Sequence, residues 1–505
     1  MMVISNNAAS SKYGGLSPSL SNPTMRLTAI VYTLGQHYGS STPESKQLLD
    51  DARHELALLF RDAPPGILYL TLNAKEGVLM LAPDQASPGV ASRPEFAVKR
   101  YQKLQQAENV DNLTQWLQEI RTSGGKPVTY LNAPPTKWPI RVNGYSVLFM
   151  DAIPGENFVA LMPRLTALEQ KADTAGWEAK AIKDFLFRLA LDNVAYFQDI
   201  TPQLLTRSGY ALQPQDIRGF VAESVKKSAT TLEEVTDQSL TESERRAVYE
   251  AADAAAELIS KRAVLALDSG PRNILVRSSE ALNISEFSQS PDAYLSRKGK
   301  PNLSLLPEAV YQVDLPYSMK TSHTLRDAVR FLFAPSSGLN REQIDEKIAY
   351  FILRLSYFSS SNAPSRMGPI AEQIGLLNNG KARAQSLPLV AEYFHDGPYD
   401  LQVSAIAESA RMMHILTTVF MSKNRGQIEG TLTPTMDKDH LTANYGELEQ
   451  ETRGWASVGN SMSQELGQLA AGDPSIPALE LLFQKWQTAA VQAEHLPRYK
   501  AFSKS

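Results

Sequence analysis

The sequence predicts an α+β chain: a small β-rich lobe, a hinge, a helical lobe and a helical extension. Three observations carry this reading. Short strand-like runs cluster before residue 151, apolar spacing becomes helical after Gly155, and it stays helical through the tail. The expected divisions are a Ser/Asn-rich, disordered leader (1–24), a helical segment (25–64), the β-rich lobe (65–151), the helical lobe (152–340) and the extension (341–505).

Taken in order, Ser45–Leu59 carries Leu48, Leu49, Ala52, Leu56 and Leu59 at helical spacing. Ile67–Leu72 and Val78–Ala82 flank Asn73-Ala74-Lys75-Glu76-Gly77 as a hairpin. Glu95–Tyr101 reads as a third strand. Leu113, Trp116, Leu117 and Ile120 form one face of a helix that stops at Gly124-Gly125, and Pro127–Leu131 and Tyr145–Met150 read as two more strands. Beyond the hinge, Ile182, Phe185, Leu186, Leu189 and Tyr196 mark a buried stripe. Thr241 and Glu244 form a capping box before an Ala-rich helix to Lys261. Ile344, Ile348, Phe351, Ile352 and Leu355, and then Leu479, Leu482, Phe483 and Trp486, are spaced as core faces.

Composition excludes several classes. The 505 residues hold 50 Lys+Arg, 54 Asp+Glu, seven His and no Cys. Disulfides, thiolate zinc sites and cysteine nucleophiles are therefore ruled out. A net charge of −4 lacks the basic surplus of a general nucleic-acid binder. No run approaches the ~20 apolar residues of a membrane span, and the leader has no apolar signal core, so a soluble chain is expected. The histidines show no zinc-type spacing; His414, along Val403, Ile406, Ala407 and Ala410, reads as a hydrogen-bonded core residue.

The chemistry concentrates in Val264-Leu-Ala-Leu-Asp268-Ser-Gly-Pro271-Arg272-Asn273-Ile-Leu-Val276. An Asp followed five positions later by an Asn that opens a short apolar strand suits phosphoryl transfer. One group deprotonates an acceptor hydroxyl while the other holds Mg²⁺ against phosphates. Downstream, Val310-Tyr-Gln-Val313 ends in Asp314, a second oxygen ligand for that ion. Asp and Asn also serve as plain turn and cap residues before strands.

Asp268-x-x-Pro271-x-Asn273-Ile-Leu-Val resembles the catalytic loop of the aminoglycoside-phosphotransferase and choline-kinase branch of the protein-kinase-like superfamily. Tyr145–Met150 running into Asp-Ala-Ile-Pro154-Gly155-Glu156 resembles its hinge, and Glu95-Phe-Ala-Val-Lys99 its third strand. The resemblance spans roughly residues 65–340 and implies a bilobal kinase-like fold that binds ATP and Mg²⁺. It makes Asp268 the catalytic base, with Asn273 and Asp314 as metal ligands. Lys99 becomes the phosphate partner, held by Glu119 or, as runner-up, Glu108. Adenine would meet the backbone near Met150 and Ala152, Gly77 would belong to the phosphate-covering loop, and Arg272 would add charge beside the γ-phosphate. Lys99 also reads as a solvated edge residue, and Glu119 as a surface carboxylate.

There are departures. The branch's His-Gly before the Asp is Ala266-Leu267, the phosphate loop is poor in Gly, and a polar insertion surrounds Ser278–Pro301. The expected activity is transfer of the γ-phosphate to a hydroxyl of a small molecule or protein. The alternatives are another nucleotide-dependent transfer such as AMPylation, or a non-catalytic kinase-like protein acting by partner binding. The Ser/Asn-rich leader, with Lys12 as its one charge, and the divergent core also resemble bacterial effectors delivered by type III secretion, which implies a cytoplasmic or host-cell location.

Overall fold

The computed structural model describes residues 78–81, 96–123, 133–359, 399–428 and 438–491, with a few positions between 42 and 51. Short stretches within those spans are excepted, among them positions 152, 268 and 314. The chain is mixed α+β and mostly helical. It separates into two compact units: residues 1–155 with 207–210 and 315–318, and residues 156–206 with 211–314 and 319–505.

The first unit is built from β1 (Val78–Leu81), β2 (Phe96–Tyr101), α1 (Leu104–Ser123), β3 (Thr136–Val142) and β4 (Tyr145–Asp151). The strands form an antiparallel sheet of order β1-β2-β4-β3. Ala107, Val110, Leu113, Trp116 and Leu117 recur every three or four residues on α1 and are buried. That face packs on β3 and β4. β3 was not expected from the sequence. Pro139 argues against a strand, and the structure accommodates it on the sheet edge, with a register shift between Lys137 and Pro139. The expected strands Ile67–Leu72 and Pro127–Leu131, the turn at 73–77, the leader and most of the Ser45–Leu59 helix lie outside the described residues.

The second unit continues with β5 (Gly155–Asn157), α2 (Phe158–Glu169), α3 (Thr174–Ser208), β6 (Leu212–Gln213), α4 (Ile217–Val235), α5 (Glu242–Leu258) and β7 (Ala263–Leu265). A 3₁₀ turn at Pro271–Asn273 leads into β8 (Ile274–Arg277). Then come α6 (Ile284–Gln289), α7 (Pro291–Lys298), β9 (Val310–Gln312), β10 (Met319–His323), α8 (Arg326–Leu332), α9 (Arg341–Ser359), α10 (Asp400–Ile428), α11 (Lys438–Leu469) and α12 (Ala478–Val491). Two small sheets have strand orders β6-β10-β7 and β5-β8-β9.

Local chemistry accounts for several boundaries. The capping box of α5 forms as expected: Thr241 Oγ1 accepts from Glu244 N and the Glu244 carboxylate accepts from Thr241 N. The helix ends at Leu258 rather than Lys261. On α3 the buried face is broader than the expected stripe: Ile182, Leu186, Phe187, Leu191, Val194 and Phe197 are buried, while Phe185, Leu189 and Tyr196 are half-buried. The polar side of α3 is occupied by α9, through Lys347 to Asp184 at 2.7 Å and Arg354 to Asp192 at 2.5 Å. Within the polar insertion, Ile284–Gln289 and Pro291–Lys298 form α6 and α7.

The core faces expected on α9 and α12 are buried. Phe158, Phe187 and Phe331 pack at centroid separations of 4.9–5.6 Å, tying α8 to α2 and α3. Further along, α10 packs on α4, α11 on α10 and α12 on α11. A Cβ on Gly459 of α11 would overlap the Phe483 ring of α12, whereas one on Gly467 would meet nothing within 4 Å. Helix propensity favours Ala over Gly at both sites. Gly467→Ala is therefore expected to stabilise by about 0.5–1 kcal/mol and Gly459→Ala to destabilise by about 1–3 kcal/mol. Urea midpoints of the two variants check this; equal shifts would contradict the packing at Phe483. Among the described residues, no helix is long and apolar enough to cross a membrane.

Candidate functional site

The segment that carries the expected chemistry is built from backbone outward. After β7 the chain runs through Ala266 and Leu267, both buried, and reaches Ser269 and Gly270, also buried. Asn273 N donates to Gly270 O at 2.8 Å, closing the 3₁₀ turn that starts at Pro271. Pro suits that first position, where an N–H has no intrahelical partner. β8 then pairs antiparallel with β9, matching Ile274 with Gln312 and Val276 with Val310. Val313 N donates to Asn273 O at 2.9 Å, so the residue that opens β8 and the one that follows β9 are bonded directly.

Asp327 holds this segment from below. Its side chain is fully enclosed on α8, and its two oxygens accept from Leu267 N at 2.7 Å and Ser269 N at 3.3 Å. These amides flank position 268 on both sides. A buried carboxylate satisfying two backbone donors is a strong positional constraint, because a buried N–H without a partner costs about 1–3 kcal/mol. Burial pushes the Asp327 carboxyl above the usual range, against the pull of Arg326 and the two amides.

Around Asp327 lies a charge cluster that sequence reasoning missed. Glu408 of α10 is fully buried; it forms an ion pair with Arg326 Nε at 3.1 Å and accepts from Arg411 Nη1 at 3.1 Å. Despite its burial, Arg411, Arg326, His323 and Arg330 together hold its carboxyl at about 2. The Arg330 guanidinium lies against Gly270: a Cβ there would sit 3.2 Å from its Nε. Burial lowers Arg330 to about 10. The available signal was the setting. Arg326, Asp327 and Arg330 stand among Leu325, Ala328, Val329, Phe331 and Leu332, and Glu408 among Ala405, Ile406, Ala407 and Ala410. Charges inside segments that are apolar all round are buried charges.

His323 ends β10 in the same cluster, beside the Phe220 ring, with its Nδ1 2.9 Å from Ser404 Oγ. Burial lowers it to about 4, with Glu408 opposing and Arg326 and Arg411 reinforcing the shift. Its folded value lies below the unfolded 6.5, so between those values the unfolded chain binds the extra proton and stability falls on acidification. That group alone predicts a loss of about 2 kcal/mol between roughly pH 7.5 and 5. Urea unfolding at the two pH values should show a shallower dependence for His323→Asn; parallel curves would contradict the assignment.

The expected site residues are distributed as follows. Asn273 is half-buried at the start of β8. Asp268 and Asp314 lie outside the described residues, though both chain neighbours of position 268 and the residue preceding 314 are fixed as above. Arg272 is in the 3₁₀ turn, its side chain outside the described residues. In the first unit, Lys99 sits on interior strand β2 between Val78 and Leu148 and is buried, with Nζ 5.6 Å from the Tyr101 ring centroid. It is not a solvated edge residue. Met150 is buried on β4 opposite Ala97. Glu119 is exposed on α1 and Glu108 half-buried. Gly77 and Ala152 lie outside the described residues.

The buried carboxylate on α1 is Asp111, which was not singled out. It accepts from Thr136 Oγ1 at 2.6 Å and from Gln115, and burial raises its carboxyl. His414 has the expected hydrogen bond, its Nδ1 2.7 Å from Thr231 Oγ1, but it is half-buried rather than a core residue. No protein-family model and no curated protein sequence matches this chain.

Proposed function

We propose that this protein is an ATP- and Mg²⁺-dependent phosphotransferase with a bilobal protein-kinase-like fold, moving the γ-phosphate to a hydroxyl of a small molecule or protein. The observation that carries the reading is the braced segment at 267–273. Asp327 fixes the backbone on both sides of position 268, and the Asn273–Val313 bond joins the two chain segments that carry Asn273 and Asp314.

The donor set fits the group it would hold. Carboxylate and amide oxygens are the ligands a hard cation such as Mg²⁺ takes together with phosphate oxygens. A lysine on an interior strand is a compact point charge suited to phosphate. In this reading Asn273 and Asp314 hold the ion, and Lys99 holds phosphate oxygens, with Glu119 or Glu108 as its carboxylate partner. Met150 and Ala152 offer backbone to adenine, Gly77 lies over the phosphates, and Arg272 adds charge beside them. When bound, the nucleotide supplies the phosphoryl group. Asp268 orients the acceptor hydroxyl and takes its proton.

A second reading follows from Ala266 and Leu267, which are buried and apolar where the resembled branch carries His-Gly. A loop altered there suits a nucleotide held in another orientation, as in AMPylation, or a chain that works by binding a partner. Incubation with acceptor mixtures and ATP labelled at the α- or γ-phosphate separates the three outcomes. Transfer of γ-label alone is expected. Transfer of α-label would replace phosphotransfer by AMP transfer, and transfer of neither would favour the binding role.

A further inference from the structure

Arg326 has a choice of two carboxylates. Asp327 is its neighbour in sequence and attracts it electrostatically; Glu408 comes from α10, far along the chain in the helical extension. The structure pairs Arg326 with Glu408 at 3.1 Å and leaves both oxygens of Asp327 to the amides of Leu267 and Ser269. Arg411 donates to the other oxygen of Glu408, and Arg330, whose guanidinium underlies Gly270, is drawn by the same carboxylate. One buried anion on the extension therefore gathers the guanidiniums of α8 and α10 beneath the segment that leads to Asn273.

We propose that Glu408 is a positioning residue for the 267–273 segment: by engaging Arg326 it keeps Asp327 free to hold the backbone on both sides of position 268. Without that anion, Arg326 is a buried cation that has lost its ion-pair partner and is still attracted by Asp327. The guanidinium then competes with two backbone amides for the same oxygens. A charged donor makes the stronger hydrogen bond, so the amides lose. The extension thus acts on this segment through charge as well as packing. Only the catalytic consequence rests on the phosphotransferase reading; the structural one does not.

The test is hydrogen exchange in peptides covering residues 264–271 of the full-length chain, without nucleotide. Glu408→Gln keeps size and removes charge. It is expected to speed exchange there at least tenfold while peptides from α11 and α12 keep their protection. Arg326→Met combined with Glu408→Gln removes the competing cation with the anion and is expected to return exchange to the wild-type rate, a coupling that a purely structural role for Glu408 would not produce. Unchanged exchange in Glu408→Gln would overturn the proposal. So would a double variant that exchanges as fast as the single one or does not fold. If Glu408→Gln alone fails to fold, the double variant decides by the same criterion. A wild-type chain with no ATP-dependent transfer, but with this exchange pattern, would retain the positioning role and remove the phosphotransferase reading.

Discussion

An Asp268→Asn variant is expected to lose phosphoryl transfer by a factor of about 10²–10⁴, the usual contribution of a positioned general base. The substitution preserves shape and hydrogen bonding on one oxygen but removes the basicity needed to accept the hydroxyl proton. Nucleotide binding should be largely retained, because the proposal gives the metal and phosphates to Asn273, Asp314 and Lys99. The backbone at 267 and 269 is held by Asp327 whatever the side chain at 268. A kcat loss with little change in the KM for Mg-ATP is therefore the signature. Full turnover in this variant would remove Asp268 from the role of base.

Asp327→Ala is expected to have the largest effect on stability, about 3–5 kcal/mol, the range for removing one partner of a buried charged network. Two effects act together. Two buried amides lose their acceptors, and Arg326 loses an adjacent negative charge, which leaves Glu408 to oppose the arginines of the cluster. Asp327→Asn should cost less than the alanine change, because the amide keeps one acceptor oxygen. Its NH₂ would still face the second backbone donor. Urea unfolding of both variants tests the order. A cost below about 1 kcal/mol for Asp327→Ala, a value typical of surface changes, would contradict the bracing role.

The parts of the fold legible in the sequence are those with local causes. The capping box at Thr241, the turn at Pro271 and the faces of α9 and α12 depend on residues a few positions apart. Strand β3 was hidden by Pro139, because its tolerance depends on lying at a sheet edge, which only the assembled sheet defines. The candidate site divides the same way. The Asp268–Asn273 spacing was visible as a motif, but the carboxylate that braces it was not. In sequence, Asp327 is an acid in the first turn of a short helix, where acids are common for electrostatic reasons. Its partners Leu267 and Ser269 are backbone donors far along the chain and leave no trace in residue type. The apolar settings of Arg326 and Glu408 mark them as buried, but which charges meet is decided only by the packing of α8 against α10.

The phosphotransferase proposal makes Lys99, Asn273 and Asp314 residues that bind Mg-ATP. Thermal unfolding across a Mg-ATP titration tests it most directly, because a ligand that binds only the folded chain raises its stability by about 2.7 kcal/mol at 100 times its dissociation constant. The expected result is a saturable rise in Tm for the wild type that is much reduced in Lys99→Met, Asn273→Ala and Asp314→Ala. No rise at millimolar Mg-ATP, or an equal rise in all four proteins, would contradict it.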